Sequence, residues 1–385
     1  MHTHPFSTDD QRLIPIMEKV ITGVRLSAAA ALTLYQSGDI LAVGWLANYV
    51  RERMHGDKTY FNVNRHINPT NVCVAACRLC AFGRKTDAPG AYTMALEEVF
   101  ETAASGYSEA VTEFHIVGGL HPTWPYEYYT GLLRALKDRF PGVHLKAFTM
   151  VELDWIAHVG RRQVADAIRD LREAGMDSCP GGGAEIFERR VRDVICRNKI
   201  SGERWLEIAR ECHAQGIRTN ATMLYGHVET IEDRVDHLLR LRELQDETGG
   251  FTGLIPLAFH PENTPLSYLP ATSGQLDLRV IAVSRLLLDN FPHVKAYWIQ
   301  IGTKLAQVAL FFGADDLVGT VVDETITHAA GATTASGMSR TEFESLIRES
   351  GREPFERDAE YRRVVRGPGS SPGPREPSPG VSVSV

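Results

Sequence analysis

The sequence predicts an α/β fold: a (β/α)8 barrel of the TIM type, full or partial, with a helical N-terminal extension. From about residue 60, β-like runs alternate with amphipathic helical runs about eight times. Glycine-rich or polar loops directly follow several of these runs, as they do at the catalytic rim of such barrels. A doubly wound open sheet is the alternative. It is less favoured as a dinucleotide-binding fold because no G-x-G-x-x-G follows the first strand.

Four segments differ in composition. Residues 1–10 are polar and are predicted to be disordered, and residues 11–58 have apolar positions at helical spacing. Residues 59–366 carry the alternating pattern and are predicted to form the barrel with C-terminal helices. Residues 367–385 are rich in Pro, Gly and Ser and are predicted to be a disordered tail.

Each predicted element has a local signal. The helix over Ser201–Gly216 ends at a glycine, and the helix over Thr230–Thr248 starts at a capping threonine with Asp233 three residues later. Arg285 falls in a predicted helix over Leu276–Asn290, which favours a structural role. The predicted strands are Tyr60–Ile67, Val111–Val117, His144–Val151, Met176–Cys179, Arg218–Tyr225, Thr252–Phe259, Val294–Gln300 and Leu317–Val322.

Composition excludes several classes of protein. The 385 residues carry a net charge of −7, and the pI is near 6.1, which argues against a nucleic-acid partner. Apolar stretches such as Ala28–Leu34 are too short to span a bilayer, so no membrane partner is expected. Six cysteines are too few for a disulfide framework, and we expect a cytoplasmic protein.

Three cysteines form the most specific motif. Cys73, Cys77 and Cys80 have the spacing C-x3-C-x2-C on a short stretch after the first predicted strand. Three thiolates at this spacing can hold three irons of a cubane cluster and leave the fourth iron open, which indicates chemistry rather than simple electron transfer. Two alternatives are a zinc site completed by His66, and unrelated core cysteines. Cys179, Cys196 and Cys212 occur singly, with buried packing as their expected role.

The chain resembles the aminofutalosine synthase family of the radical S-adenosylmethionine (SAM) superfamily. An aromatic residue, Phe82, stands two positions after the last cysteine of the motif. The strings HINPTNVC, FHIVGGLHP, GGGAEIF, NATMLYGHVET, LRELQDETGGF, PLAFHPENT and THAAG extend the resemblance from residue 66 to about residue 331. The resemblance implies a [4Fe–4S] cluster on Cys73, Cys77 and Cys80, with SAM consumed as a co-substrate.

The resemblance also implies a SAM site. The backbone near Phe82 would bind adenine, Gly118 and Gly119 would admit the methionine amino group, and Glu185 would bind the ribose or the ammonium. Tyr225 and Gly226 match a contact to adenine. Leu120 departs from the family pattern, because an acidic residue usually follows the two glycines. Structural alternatives are a tight turn for the glycines, a helix-dipole role for Glu185 and core packing for Tyr225.

The implied reaction adds the 5′-deoxyadenosyl radical to 3-[(1-carboxyvinyl)oxy]benzoate. Aryl migration and loss of the carboxyl carbon then give 6-amino-6-deoxyfutalosine. The two carboxylates of that substrate require cations or convergent donors. The residues predicted to bind it are Lys146, Asn220, Asn263, Lys295 and His328, and the predicted bases are His260 and His227.

The implied partner is an electron donor, a reduced flavodoxin or ferredoxin. One alternative function is dehypoxanthine futalosine cyclase or another hydrogen-abstracting enzyme of the superfamily, which would release free 5′-deoxyadenosine. Another is a non-catalytic iron–sulfur or zinc protein, which would not bind SAM.

Overall fold

The computed structural model describes residues 6–105, 110–322 and 324–366. The predicted disordered tail, residues 367–385, and residues 1–5 lie outside the described part. Within the described residues the strands are β1 (Lys58–Asn62), β2 (Asn64–Ile67), β3 (Glu113–Ile116), β4 (His144–Ala147), β5 (Ser178–Cys179), β6 (Arg218–Tyr225), β7 (Phe251–Ala258), β8 (Asp316–Gly319) and β9 (Glu353–Glu356).

The helices flank these strands in chain order. After a 3-10 turn (Gln11–Leu13), the helices are α1 (Ile14–Thr22), α2 (Ala28–Gln36), α3 (Ile40–His55), α4 (Leu96–Ala104), α5 (Tyr126–Arg139), α6 (Met150–Val159), α7 (Val164–Glu173), α8 (Arg189–Ile195), α9 (Gly202–Ala214), α10 (Ile231–Thr248), α11 (Gly274–Leu287), α12 (Trp298–Ile301), α13 (Thr303–Ala309), α14 (Ile326–Ala329) and α15 (Arg340–Glu349). Among the described residues, no helix combines the length and apolar composition needed to span a bilayer.

Six parallel strands in the order β2-β3-β4-β5-β6-β7 form a partial (β/α) barrel, which confirms the predicted fold class. A second parallel sheet has the order β8-β1-β9. The two sheets are joined because β1 runs directly into β2. Single parallel bridges also link Leu254 to Val294, Lys295 to Asp316 and Arg65 to Val322. Parallel pairing therefore continues beyond β7, but only through isolated residues.

The predicted helical extension is present. Helices α1 to α3 precede β1, and α2 and α3 pack against α10 and α11 on the outside of the barrel. Of the first ten residues, Phe6 packs its ring against Trp45, and the Thr8 hydroxyl donates to Asp39 at 2.7 Å.

Two predicted strands end early because a helix begins within each of them. The strand predicted over His144–Val151 ends at Ala147, because Thr149 caps α6 by accepting a hydrogen bond from the Glu152 backbone N–H. The strand predicted over Val294–Gln300 is reduced to bridges at Val294 and Lys295, and α12 begins at Trp298. The capping box predicted at Thr230 and Asp233 is confirmed at the start of α10.

The inner face of the barrel is unusually polar. Asn62, Asn64 and His66 on β1 and β2, and Asn220 and Thr222 on β6, line a central cavity. Aromatic side chains such as Trp205 and Phe251 are instead fully buried in the core. The interiors of TIM barrels are normally filled by branched apolar side chains. A barrel lined with amides, imidazoles and charges is therefore suited to binding a polar ligand.

Candidate active site

The central cavity has a volume of about 370 Å³ and connects two chemically different ends. At the first end, here called the cysteine end, lie the loop 73–83, the Gly118–Gly119 turn, Glu152, Glu185 and Lys199. The second end, here called the charged floor, is lined by Glu113, Lys146, Lys295 and Arg357. It also includes Asp316, which forms ion pairs with Arg357 at 2.7 Å and with Lys295 at 4.0 Å. Between the two ends the wall is apolar, with Leu224, Ile255, Leu257 and Phe259 among its residues.

The three motif cysteines converge on the cavity, and all three are free thiols that are partly exposed. The loop is shaped by backbone hydrogen bonds from Cys73 N to Arg84 O at 2.8 Å and from Cys80 N to Cys77 O at 3.2 Å. The Gly83 backbone N–H also donates to Cys80 Sγ at 3.2 Å. Such N–H···S bonds tune cysteine ligands of iron–sulfur clusters.

The spacing of the thiols favours a cluster over zinc. Among the described residues, one group of three Cys, His, Asp or Glu side chains has all its ligand atoms within 4.8 Å of one another. It consists of His55, His293 and Asp315. The three cysteine sulfurs are therefore spread more widely than this. Sulfur ligands at about 2.3 Å from a tetrahedral zinc would lie only about 3.8 Å apart. The three thiols are therefore not arranged as a preformed zinc site, and the C-x3-C-x2-C spacing remains the observation that favours a cluster.

Gly119 is required by close packing against the cysteine loop. A Cβ at Gly119 would lie 2.1 Å from the Val72 carbonyl oxygen, and one at Gly118 would lie 3.1 Å from Thr70 O. The Gly119 N–H donates to Thr70 O at 2.9 Å. The two glycines therefore let the loop after β3 lie directly on the chain that enters the cysteine motif.

Glu152, which the sequence analysis did not single out, organises this turn. Its Oε1 accepts from Gly118 N at 2.9 Å, and its Oε2 accepts from the Thr149 backbone N and hydroxyl, each at 2.8 Å. Burial raises the pKa of Glu152 to about 7, against the lowering effect of these hydrogen bonds. The capping box formed by Thr149 and Glu152, two residues after the end of β4, is the sequence signal that could have identified Glu152.

Glu185 lies at the cysteine end as predicted, in a left-handed backbone conformation with φ +50°. Lys199 donates to its Oε1 at 2.7 Å. Burial opposes ionisation of Glu185, but the Lys199 ammonium lowers the pKa of its carboxyl below the usual value. Lys199 was also missed, because it lies 14 residues away in a loop without a motif.

Tyr225, Gly226 and His227 do not reach the cavity. The Tyr225 hydroxyl donates to Asp277 Oδ1 at 2.9 Å in the layer between β6 and α11. Gly226 donates its N–H to Glu229 at 2.7 Å. The His227 side chain is fully buried, with Nε2 3.0 Å from Leu224 O and Nδ1 2.9 Å from Glu229. Both ring nitrogens are thus occupied by loop contacts.

Asn263 and His328 also lie off the cavity wall. Asn263 is exposed and donates to Ala329 O at 3.1 Å. His328 Nδ1 is 2.8 Å from Glu324, and its Nε2 is 2.8 Å from Thr334 O. The other predicted residues, Phe82, Lys146, Asn220, His260 and Lys295, do line the cavity.

His260 is the predicted base that the fold brings to the cavity. Its Nε2 lies 3.0 Å from the Gln300 carbonyl oxygen, a geometry in which that nitrogen carries the proton. The Nδ1 atom is then the basic one. Among the described residues it has no hydrogen-bond partner, so it is available for contact with a ligand.

The charged floor combines residues from five parts of the chain. Lys146 donates to Glu113 Oε2 at 2.6 Å, and Arg357 Nε donates to Asp316 Oδ2 at 2.7 Å. Asp316 Oδ2 also accepts from the Tyr361 hydroxyl at 2.7 Å. Glu113, Arg357 and Tyr361 were not predicted, because nothing local in the sequence marks them.

Comparison with known proteins gives the family. The Radical SAM superfamily model matches residues 67–241, and the CofH/MqnC C-terminal region model matches residues 248–366. An aminodeoxyfutalosine synthase of Thermus thermophilus is 49% identical over 92% of this chain and 96% of its own length. The chain belongs to the radical SAM superfamily. This membership implies a [4Fe–4S] cluster and SAM, and Cys73, Cys77 and Cys80 have the matching spacing.

Further relatives carry the same or a different activity in their names. An aminodeoxyfutalosine synthase of Streptomyces coelicolor is 44% identical over 93% of this chain and 96% of its own. A 5-amino-6-(D-ribitylamino)uracil–L-tyrosine 4-hydroxyphenyl transferase of Methanopyrus kandleri is 41% identical over 83% of this chain and 88% of its own. The solved structure of methylornithine synthase superposes with a TM-score of 0.68 at 19% identity, covering 88% of this chain and 97% of that one, which supports the fold alone.

Proposed function

We propose that this radical SAM protein is an aminodeoxyfutalosine synthase. It would add the 5′-deoxyadenosyl group of SAM to the vinyl carbon of 3-[(1-carboxyvinyl)oxy]benzoate, with aryl migration and loss of the carboxyl carbon, to give 6-amino-6-deoxyfutalosine. The observation that carries the proposal is near full-length identity of 49% and 44% to two such synthases. A cavity with thiols at one end and cations at the other is consistent with joining SAM to a dicarboxylate.

The residues at the cysteine end would hold the cofactors. Cys73, Cys77 and Cys80 would ligate the cluster, which supplies the electron that cleaves SAM reductively when bound. Gly118 and Gly119 would present main-chain groups to the methionine part, held in place by Glu152. Glu185, charged through its pairing with Lys199, would accept hydrogen bonds from the ribose hydroxyls or the ammonium.

The apolar wall would surround the aromatic ring and exclude water from the reacting carbons. Its side chains include Leu224 and Ile255, each nearly buried. Exclusion of water protects reactive intermediates and strengthens polar contacts at both ends. His260 would act as the base that assists loss of the carboxyl carbon, through its Nδ1.

The electron donor would be a reduced flavodoxin or ferredoxin in the cytoplasm. It would approach the outer side of the cysteine loop, where Val74 and Arg78 are exposed. Small electron carriers form small, weak and charge-steered interfaces. An exposed arginine beside the cluster ligands suits an acidic carrier.

The test is anaerobic turnover by the cluster-reconstituted protein with dithionite, SAM and the enolpyruvyl benzoate, analysed by mass spectrometry. We expect a product containing both the adenosyl group and the aromatic ring, and none from the Cys77→Ala variant. Free 5′-deoxyadenosine as the sole SAM-derived nucleoside product would contradict the proposal and favour a hydrogen-abstracting enzyme such as dehypoxanthine futalosine cyclase.

The second candidate function is transfer of a 4-hydroxyphenyl group from tyrosine, favoured by the 41% identity to the Methanopyrus kandleri transferase. The same assay with L-tyrosine and 5-amino-6-(D-ribitylamino)uracil in place of the benzoate discriminates the two. A product that joins the hydroxyphenyl group to the uracil would replace our first proposal with this one.

A further inference from the structure

Three lysines line the cavity, and they differ in how their charge is balanced. Lys199 donates to Glu185 at 2.7 Å, and Lys146 donates to Glu113 at 2.6 Å. Each of these ammonium groups thus has a carboxylate in direct contact. Lys295 has no such contact: its Nζ lies 4.0 Å from Asp316 Oδ2, beyond hydrogen-bond distance.

Asp316 is already satisfied by other groups. Its Oδ2 accepts from Arg357 Nε and the Tyr361 hydroxyl, each at 2.7 Å, and its Oδ1 accepts from the Val318 backbone N–H at 2.5 Å. Across the described residues, Lys295 Nζ makes no hydrogen bond, and its remaining contact is with the Tyr361 ring, 5.5 Å from the centroid. With 2% of its surface exposed, Lys295 is a buried cation whose nearest carboxylate, Asp316, is shared with Arg357 and makes no direct hydrogen bond to it.

The charges that face Lys295 come from several elements. Asp316 on β8 and Glu113 on β3 favour its protonated form, whereas Arg357 beyond β9 and Lys146 on β4 oppose it. Burial has the largest effect, and together these lower the pKa of Lys295 to about 7. The side chain is therefore balanced between its neutral and charged forms near physiological pH.

Lys295 lies far from the cysteine loop. In the strand register it is paired with Asp316, and Asp316 is paired with Tyr60 near the start of the first strand. The cysteine loop follows Ile67, at the end of β2, into which β1 runs directly. Parallel strands run in one direction, so the two sites lie at opposite ends of the cavity.

We propose that the Lys295 ammonium binds the ring carboxylate of the aromatic substrate, an interaction that rests on the proposed synthase function. The reacting vinyl carbon and its carboxylate must lie near the adenosyl group at the cysteine end. The ring carboxylate is the part of the substrate that extends furthest from them. At the charged floor it supplies a counterion in direct contact and accepts a charge-assisted hydrogen bond from Lys295.

Binding of this carboxylate is then linked to proton uptake. The carboxylate binds the ammonium form, so the affinity is constant well below pH 7. It falls about tenfold for each pH unit above the pKa of Lys295. A neutral carboxamide in place of the ring carboxylate does not show this dependence.

Calorimetry on the full-length, cluster-reconstituted protein with SAM tests the proposal, with 3-methoxybenzoate and 3-methoxybenzamide as probes. At pH 8 we expect the benzoate to take up most of a proton on binding, measured across buffers of different ionisation enthalpy. The benzamide should take up none. This measurement uses the unmodified protein, so it does not depend on the folding of a variant, and proton uptake near zero for the benzoate would overturn the proposal.

The Lys295→Met variant tests whether Lys295 is the residue that binds the benzoate carboxylate. It should weaken benzoate binding roughly 10- to 100-fold at pH 7, abolish its pH dependence and leave benzamide binding unchanged. The matched control is Lys304→Met, an exposed lysine on α13, which should behave like the wild type. Wild-type benzoate affinity in Lys295→Met would remove the assignment. If the probes behave as expected but turnover yields no adduct, the synthase proposal fails while the carboxylate site stands.

Discussion

The cysteine end and the charged floor are built in different ways, although they belong to one cavity. The cysteine end is built from short stretches of backbone, with Gly119 lying on Val72 and the Gly118 N–H held by Glu152. The charged floor is built from long buried side chains such as Lys146, Lys295 and Arg357. On the proposed function, the shape of the chain would recognise the cofactors, whereas a balance of buried charges would recognise the substrate.

Gly119→Ala should disrupt the cysteine end and leave the charged floor intact. Of the variants considered, we expect it to have the largest effect on turnover. Its Cβ would lie 2.1 Å from a backbone oxygen, so the cysteine loop must move. We expect loss of stable cluster binding and of turnover, measured by iron content and mass spectrometry, with 3-methoxybenzoate affinity retained at the charged floor.

The matched control for that variant is Gly131→Ala on α5, where an added Cβ meets nothing within 4 Å. It should load the cluster normally and stabilise the helix by about 1 kcal/mol. Equal cluster content in the two variants would show that close packing of Gly119 is unimportant.

Arg357→Met should break the charged floor alone. Removing one partner of a buried ion pair leaves Asp316 without its main counterion and costs about 3–5 kcal/mol of unfolding free energy. Lys295 is the nearest cation that can replace it, so we also expect weaker benzoate binding. Denaturant unfolding and calorimetry measure the two effects. Loss of the cluster in a folded Arg357→Met protein would contradict the independence of the two ends.

Glu152→Gln should sharpen the comparison by removing one acceptor from the cysteine end. The amide has one oxygen where the carboxylate has two, so either Gly118 N or the Thr149 backbone loses its acceptor. An unsatisfied N–H costs about 1–3 kcal/mol, and we expect SAM affinity to fall roughly 5- to 100-fold at pH 8.

The expected loss of SAM affinity in Glu152→Gln depends on pH. The pKa of Glu152 is raised to about 7, so the wild type has a neutral carboxyl at pH 6, which resembles the amide more closely. The difference between Glu152→Gln and wild type should therefore shrink as the pH falls from 8 to 6. Glu127→Gln, at an exposed position on α5, serves as the control, and an equal difference at both pH values would count against this role.

The smallest expected effect is at the outer surface of the cysteine loop. Arg78 is exposed and, within the described chain, forms no ion pair. Arg78→Gln should slow cluster reduction by a reduced flavodoxin a few-fold at low salt, less at high salt, and not at all with dithionite. Lys19→Gln on α1 is the control. Equal slowing of cluster reduction with dithionite would show that Arg78 stabilises the cysteine loop and does not contact the electron donor.

Sequence reasoning predicted the cysteine end better than the charged floor. The cysteine loop and its glycines are signals within a few residues of one another, and each follows a strand end. The floor depends on Glu113, Asp316 and Arg357, which are brought together only by strand register and by β9 pairing with β1. No local pattern encodes such contacts.

The placement of Tyr225 has a simpler physical explanation. On β6, Asn220, Thr222 and Leu224 line the cavity, so the alternation of a strand directs Met223 and Tyr225 to the opposite face. The period of two was visible in the sequence. It favours packing against the outer helices for Tyr225 over the predicted contact with adenine.

The position of Arg357 has a consequence for how such enzymes diverge. The cysteine motif lies within residues 67–241, whereas Lys295, Asp316 and Arg357 all lie within residues 248–366. A crossover near residue 245 would transplant three of the charged-floor residues onto another cofactor-binding half, separating them from Glu113 and Lys146. If Lys295 binds the ring carboxylate as proposed, the choice of aromatic substrate in such a hybrid should follow the C-terminal parent, while radical generation should follow the N-terminal one.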